Sequence, residues 1–321
     1  MSQEQRVSSY LQHKGLLNFR DLGISTIDLS TGKSYVKTGL LFRSATLDNL
    51  SSEDVDKFIK DHNIHTILDL RTSYEGRCDL PIDKSFPTTA LENVKPLDVL
   101  SLDKHEQEAE ATKDTSGNAS LVRKKYRIDF AGRNFQRNCI FTSCSLSVKI
   151  MIILLMIFCQ RRRAAMLVGE RVLTPMGVAN MYKRFIDHCQ NEIFQAMMIF
   201  VDEKNYPVHI HCTQGKDRTG LVSCLLLSIA GVPLEIIVRD YAQTQKGLAP
   251  IREKMLQELK EAGLSEEFAD APPQNMRDLL RYIEQTYGSV SKYLDHIGFG
   301  EIYQKRVRDI ISVSPETKST N

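Results

Sequence analysis

The chain is short of several features that would each assign it to a class. Its net charge is only +2, so no global field draws it to nucleic acid, and any preference for an anion must be local. It holds no unbroken apolar run of the roughly 20 residues that a membrane-spanning helix needs. The seven cysteines are odd in number and scattered over 321 residues, which is no disulfide framework and suits a reducing compartment. No repeat of about 20 to 50 residues is visible, which excludes a solenoid. The opening Met1-Ser2-Gln3-Glu4-Gln5-Arg6 lacks the apolar region of a secretory signal. These absences lead us to expect a cytoplasmic protein with no nucleic-acid partner.

What remains is ordinary globular composition, 42% apolar and 26% charged, in a chain long enough to bury a sizeable core. Residues 1–15 read as a flexible arm and 312–321 as a polar, frayed tail. Gly39–Ser44 reads as a buried strand, Ser51 as the N-cap of a helix carrying Val55, Phe58 and Ile59, and His65–Arg71 as a second strand. That order predicts an α/β fold whose sheet also receives residues 207–211. Helices are expected over 175–206, and over 234–243, 251–262, 276–287, 289–294 and 301–311, a helical C-terminal half. A polar insert at about 101–120 reads as a surface loop. Ile150–Cys159 is ten apolar residues followed by Arg161-Arg162-Arg163, within an apolar helical insert at about 144–163. It reads as a buried helix, with a lid or membrane-surface element as the other reading. The arginines then sit at its C-terminal end, where the helix dipole favours them.

The chemistry concentrates in His211-Cys212-Thr213-Gln214-Gly215-Lys216-Asp217-Arg218-Thr219-Gly220. Before it, Pro207–Ile210 alternates as a strand does; after it, Leu221–Ala230 is a long apolar run ended by Gly231 and Pro233. A strand, tight loop and helix in succession turn backbone N–H groups and a helix N-terminus toward an anion. A cysteine and an arginine separated by five residues can place a thiolate beneath phosphorus while a guanidinium grips the phosphate oxygens. Helix N-termini and neighbouring cations favour thiolates, and Lys216 and Arg218 lie in the same turn. Cys212 is therefore the candidate nucleophile. The amides from Thr213 through Gln214, Gly215, Lys216 and Asp217 to Arg218, with the Arg218 side chain, are the candidate phosphate ligands. Asp217 is the leading candidate for the general acid, or else it caps the following helix; Asp187 is a weaker rival. Thr219 can donate to the thiolate or cap the helix, and His211 is expected to hold the loop rather than act as a base. The chemistry calls for no metal and no cofactor. A nucleotide P-loop is excluded, because Asp217 stands where that pattern needs Ser or Thr after the lysine, and Ile210 where it needs glycine.

With these residues in view, the chain resembles the tyrosine phosphatase family whose loop reads HCxxGKDRTG, a family that includes bacterial secreted phosphatases active on phosphotyrosine and phosphoinositides. Asn18–Gly23 is similar to its NFRDLG signature, and Leu41–Ser44 and Leu68–Arg71 to its next two blocks. Asp240-Tyr241, Tyr287–Val290 and His296–Gly298 also look similar. The resemblance covers roughly residues 16–311 and implies a single catalytic domain of the cysteine phosphatase fold, a central, mostly parallel sheet flanked by helices. It also implies Cys212 as nucleophile, Arg218 as phosphate ligand and Asp217 as acid. The inserts at 101–120 and 144–163 are longer than the compact family pattern and leave the lid undefined.

The expected activity is metal-independent phosphomonoester hydrolysis through a cysteinyl-phosphate, on phosphotyrosine proteins or with dual specificity. A phosphoinositide phosphatase is the alternative, with Lys216 adding charge for a second phosphate; a pseudophosphatase that only binds phosphorylated partners is the remoter one. Tyr35, Tyr74 and Tyr126 are rim candidates for an aromatic contact. Arg20, Asp21, Arg43, Asp69 and Arg71 either line the pocket or form ion pairs that brace the loop. Residues 150–163 offer a further contact with a membrane surface.

Overall fold

Four residues, Val208–His211, form the strand on which the sheet is centred, and all four are buried. They belong to a six-stranded sheet seen in a computed structural model, which describes residues 16–72, 75–89, 122–132 and 135–314. The arm at 1–15, the insert at 101–120 and residues 315–321 lie outside the described residues. In chain order the strands are β1 (Arg20–Asp21), β2 (Leu41–Ser44), β3 (Thr66–Asp69), β4 (Thr88–Thr89), β5 (Lys124–Arg127) and β6 (Val208–His211). Their spatial order is β1-β2-β6-β3-β5-β4. Only β1 runs antiparallel to its neighbour. All residues of β2, β3 and β6 are buried, as in central parallel strands, although Arg43, Ser44, Thr66, Asp69, His209 and His211 interrupt the apolar runs usual there. Phe42 pairs with His209 and Ile67 with His209 across the two β6 ladders. The C-terminal ends of β2, β3 and β6 therefore share one edge, where open α/β sheets bind ligands.

The longer helices are α1 (Ser52–His62), α2 (Leu146–Ile157), α3 (Arg161–Val168), α4 (Thr174–His188), α5 (Gln190–Met198), α6 (Asp217–Ile229), α7 (Leu234–Gly247), α8 (Arg252–Glu261), α9 (Pro273–Tyr287), α10 (Val290–His296) and α11 (Glu301–Ile311). The expected helical C-terminal half is present. Ser51 caps α1 in a reciprocal pair with Asp54. Helix α6 is the hub: ten of its thirteen residues are buried, and α5, α7, α10 and α11 pack around it. This explains why its sequence is apolar on every side.

Three local expectations need correction. Helix α2 forms where a helix was expected, but none of its residues is buried, so it is not a core helix. The chain turns at Phe158–Gln160, with Cys159 in a left-handed conformation, and Arg161–Arg163 open α3 instead of closing α2. The dipole argument therefore reverses, because these cations sit at a helix N-terminus, which repels them. The tail begins later than expected: Ser312 bridges Val36, and the Val313 N–H donates to the Tyr35 carbonyl at 3.0 Å. No helix among the described residues is long and apolar enough to cross a membrane.

Candidate active site

The loop between β6 and α6 is shaped from outside, through its carbonyl groups. Thr46 N–H donates to the Thr213 carbonyl at 3.0 Å, and the Asn18 side-chain amide to those of Gln214 and Gly215, each at 3.1 Å. Arg43 Nη2 also donates to the Gly215 carbonyl at 2.8 Å, and Gly220 N–H to that of Lys216 at 2.9 Å. His211 Nδ1 lies 3.2 Å from the Cys212 carbonyl, which can only accept, so this nitrogen carries the proton. Burial lowers the pKa of this imidazole, with Asp69 opposing, which fits a neutral ring that holds the loop. A peptide is planar, and its N–H points opposite its C=O. With these five carbonyls engaged, three of them by other elements, one by the first turn of α6 and one by His211, the N–H groups of Thr213, Gln214, Gly215, Lys216 and Asp217 point away from those partners. Among the described residues, none of these five finds an acceptor. Gly215 permits the closeness of the loop to β2: its φ is 65°, and a Cβ there would lie 2.1 Å from the Ser44 carbonyl oxygen.

The tethers are themselves fixed by buried charge. Asp240 on α7 binds Arg20 Nε at 2.7 Å and Arg43 Nη1 at 2.8 Å, all within the core. Burial opposes its charge, but the two guanidiniums hold its pKa at about 2. Burial and the Arg20 charge lower Arg43 to about 10, with Asp240 opposing. Arg20 Nη1 in turn donates to Asn18 Oδ1 at 2.6 Å, which aims the Asn18 amide at the loop. Arg71 is held by Asp69 and Asp48, at 2.8 Å to each. Of the two roles open to Arg20, Arg43, Asp69 and Arg71, bracing the loop is the one these pairs show. Asp21 caps the short turn Leu22–Ser25 and also accepts from Gly39 N–H.

Within the loop, Cys212 is 1% exposed. Arg218 extends past it: Nη1 and Nη2 contact the two Glu75 oxygens at 2.6 and 2.7 Å, and Nη1 reaches the Leu70 carbonyl at 3.1 Å. Burial alone would lower the Arg218 pKa, but Glu75 and Cys212 raise it. Burial alone would raise Glu75, but Arg218 and Thr213 bring it down to about 2. The Thr213 hydroxyl donates to Glu75 at 2.6 Å. The Gln214 side chain is half-buried beside it.

Asp217 opens α6 with its carboxylate partly exposed. Its Oδ1 accepts from the Tyr182 hydroxyl at 2.6 Å and lies 3.6 Å from Lys216 Nζ. Lys216 itself is 1% exposed and turned away, with Nζ donating to the carbonyls of Phe268 at 2.6 Å and Asp270 at 3.0 Å. The Thr219 hydroxyl is buried without a hydrogen-bond partner among the described residues. Asp187 is tied to the hydroxyls of Tyr282 and Tyr287. Of the three rim tyrosines, Tyr126 is buried in β5, Tyr35 lies beneath Lys33, and Tyr74 is outside the described residues.

A profile of the tyrosine phosphatase family matches residues 11–137 and 163–312, well over half of the chain. The chain belongs to this family. The match spans the loop, its tethers and Glu75, and it omits residues 138–162, which carry α2. A tyrosine-protein phosphatase of Nostoc commune is 31% identical over 146 residues, 42% of this chain and 49% of that protein. The triple specificity protein phosphatase PtpB of Mycobacterium tuberculosis is 28% identical over 120 residues, 33% of this chain and 44% of that protein. The inositol diphosphatase DSP2 of Arabidopsis thaliana is 48% identical over 42 residues, 13% of this chain and 16% of that protein. Each match spans less than half of the relative's length.

Inspection of the sequence missed Glu75, Tyr182 and Asn18 as parts of the site. A phenol at a core-facing helical position is a signal in itself, because a buried hydroxyl needs a partner. Glu75 carried no such signal.

Proposed function

We propose that this member of the tyrosine phosphatase family hydrolyses phosphomonoesters through a cysteinyl-phosphate, without a metal. What supports the reading is the run of five loop N–H groups, Thr213 to Asp217, that find no acceptor among the described residues on the loop that also carries Cys212 and Arg218. Such a run meets the charge spread over the equatorial phosphoryl oxygens with fixed dipoles. The Cys212 thiolate attacks phosphorus, the S–P bond forms and the P–O bond to the leaving group breaks. Asp217 gives its proton to the departing oxygen. Water then attacks the phosphocysteine and returns a proton to Asp217, and the S–P bond breaks to release phosphate and the thiolate. Asp217 is favoured over Asp187 because it sits on the loop itself, whereas Asp187 is held by two tyrosines.

Phosphotyrosine in proteins, alone or with dual specificity, is the proposed substrate. Cys212 is almost fully buried, which favours a phosphoryl group carried on a phenyl ring over one on a shorter side chain. The names of the Nostoc and Mycobacterium relatives agree with this choice. The match to an inositol diphosphatase keeps a phosphoinositide substrate as the second reading. The Lys216 ammonium, bound to two carbonyls, offers that reading little direct help.

Cys212→Ser should abolish hydrolysis of p-nitrophenyl phosphate, while the wild type retains it with EDTA present. Undiminished turnover by the serine variant would overturn the mechanism, and an inactive wild type would mark a phosphate-binding pseudophosphatase. A panel of phosphotyrosine and phosphothreonine peptides beside mono- and bisphosphorylated inositides assigns the substrate.

A further inference from the structure

Helix α2 presents apolar side chains to solvent along its whole length. Leu146 is 74% exposed, Ile157 66% and Phe158 69%, and Ile150, Met151, Ile153, Leu154 and Met156 are each about half exposed. Among the described residues, Val148 and Ile152 are the side chains of α2 that pack against the core. The phosphatase chemistry does not use this surface, and the stretch that carries it falls outside the family match.

Charge identifies what covers it. From Ala131 to Gly169 the chain has six cationic residues, Arg133, Arg137, Lys149 and Arg161–Arg163, and no aspartate or glutamate. Arg162 pairs with Glu261 of α8 and Arg163 reaches Gln160, whereas Arg161 makes no ion pair among the described residues. Cations at the start of α3 are disfavoured by that helix's own dipole, so an external anion would relieve them. A second copy of the chain fits poorly, because stacking two such faces would bring like charges together. A span is excluded by length: twelve residues at about 1.5 Å rise reach about 18 Å, against a hydrocarbon layer of about 30 Å. A helix lying in the plane of an anionic lipid surface satisfies both features, its side chains entering the acyl boundary while the arginines meet headgroups.

We propose that α2 and the Arg161–Arg163 turn form a docking surface for anionic lipid bilayers. The proposal does not depend on the catalytic reading.

The full-length chain is sedimented with vesicles of phosphatidylcholine alone and of phosphatidylcholine containing phosphatidylserine. Binding to the mixed vesicles is expected, falling with added salt and weak on the neutral ones. Arg161→Gln and Arg163→Gln should each weaken it about fivefold. Leu154→Asp with Phe158→Asp should remove it, while hydrolysis of p-nitrophenyl phosphate, or the circular dichroism spectrum, stays as in the wild type. Equal binding to both vesicles, no binding to either, or a concentration-dependent dimer that Leu154→Asp dissolves would each overturn the proposal.

Discussion

The Tyr182 hydroxyl donates a 2.6 Å hydrogen bond to Asp217 Oδ1 and stands 2.8 Å from the Tyr241 hydroxyl. Burial raises the pKa of Tyr182 well above 10, and the Asp217 charge adds to the shift, so the phenol stays a donor. A bond from helix α4 thus orients a carboxylate on α6. Tyr182→Phe should lower kcat about tenfold on alkyl and phenyl phosphates, the loss expected for one hydrogen bond to a charged group. On p-nitrophenyl phosphate, whose leaving group needs no proton, the change should be small. An equal loss on all three would assign Tyr182 to structure alone.

Asp217→Asn tests the acid directly. Turnover on phenyl phosphate should fall by about 10²- to 10⁴-fold, and on p-nitrophenyl phosphate by much less.

Asp240→Ala leaves two buried guanidiniums, those of Arg20 and Arg43, without their shared carboxylate. Removing one partner from a buried ion cluster costs about 3–5 kcal/mol. Urea unfolding should show this as a lowered midpoint, with activity lost before the fold because Arg43 also tethers Gly215.

Gly215→Ala addresses the loop with little change in chemistry. The new Cβ would meet the Ser44 carbonyl, so the loop must move and its N–H groups with it. A displacement of about 1 Å can cost about 10²-fold in rate. We expect a loss of that size in kcat/KM and weaker competitive inhibition by inorganic phosphate, with the urea midpoint changing less than in Asp240→Ala.

Glu75 gives a pH dependence with a defined sign. Its pKa is about 2 in the folded protein, against 4.5 for an ordinary glutamate, so the folded state binds its proton less readily than the unfolded chain. The resulting stability is fully present above about pH 4.5 and is lost as pH falls toward 2. Glu75→Gln should therefore show a shallower fall in thermal midpoint between pH 5 and 3 than the wild type. Equal slopes would mean that Glu75 is not held by Arg218 in solution.

The elements around the site were legible because their signals are local. Ser51 with Asp54 announces a helix start, and Gly231 with Pro233 closes α6. Alternation before Cys212 and the apolar run after it define the strand–loop–helix setting from consecutive residues. The burial of α2 was misjudged for the same reason: apolar composition states what a surface would gain by being covered, not whether the fold covers it.

Sequence alone pointed to the proposed reacting groups of this protein, since Cys212 and Arg218 are separated by only five residues on one loop. Tertiary structure decided how they are held. Asn18 and Arg43 reach the loop across 172 to 197 residues, Glu75 reaches Arg218 across 143, and Lys216 turns to carbonyls more than 50 residues away. Hydrogen bonds select partners by position in space. The chain order of strands that lie β2-β6-β3 side by side does not reveal those positions until the sheet is assembled.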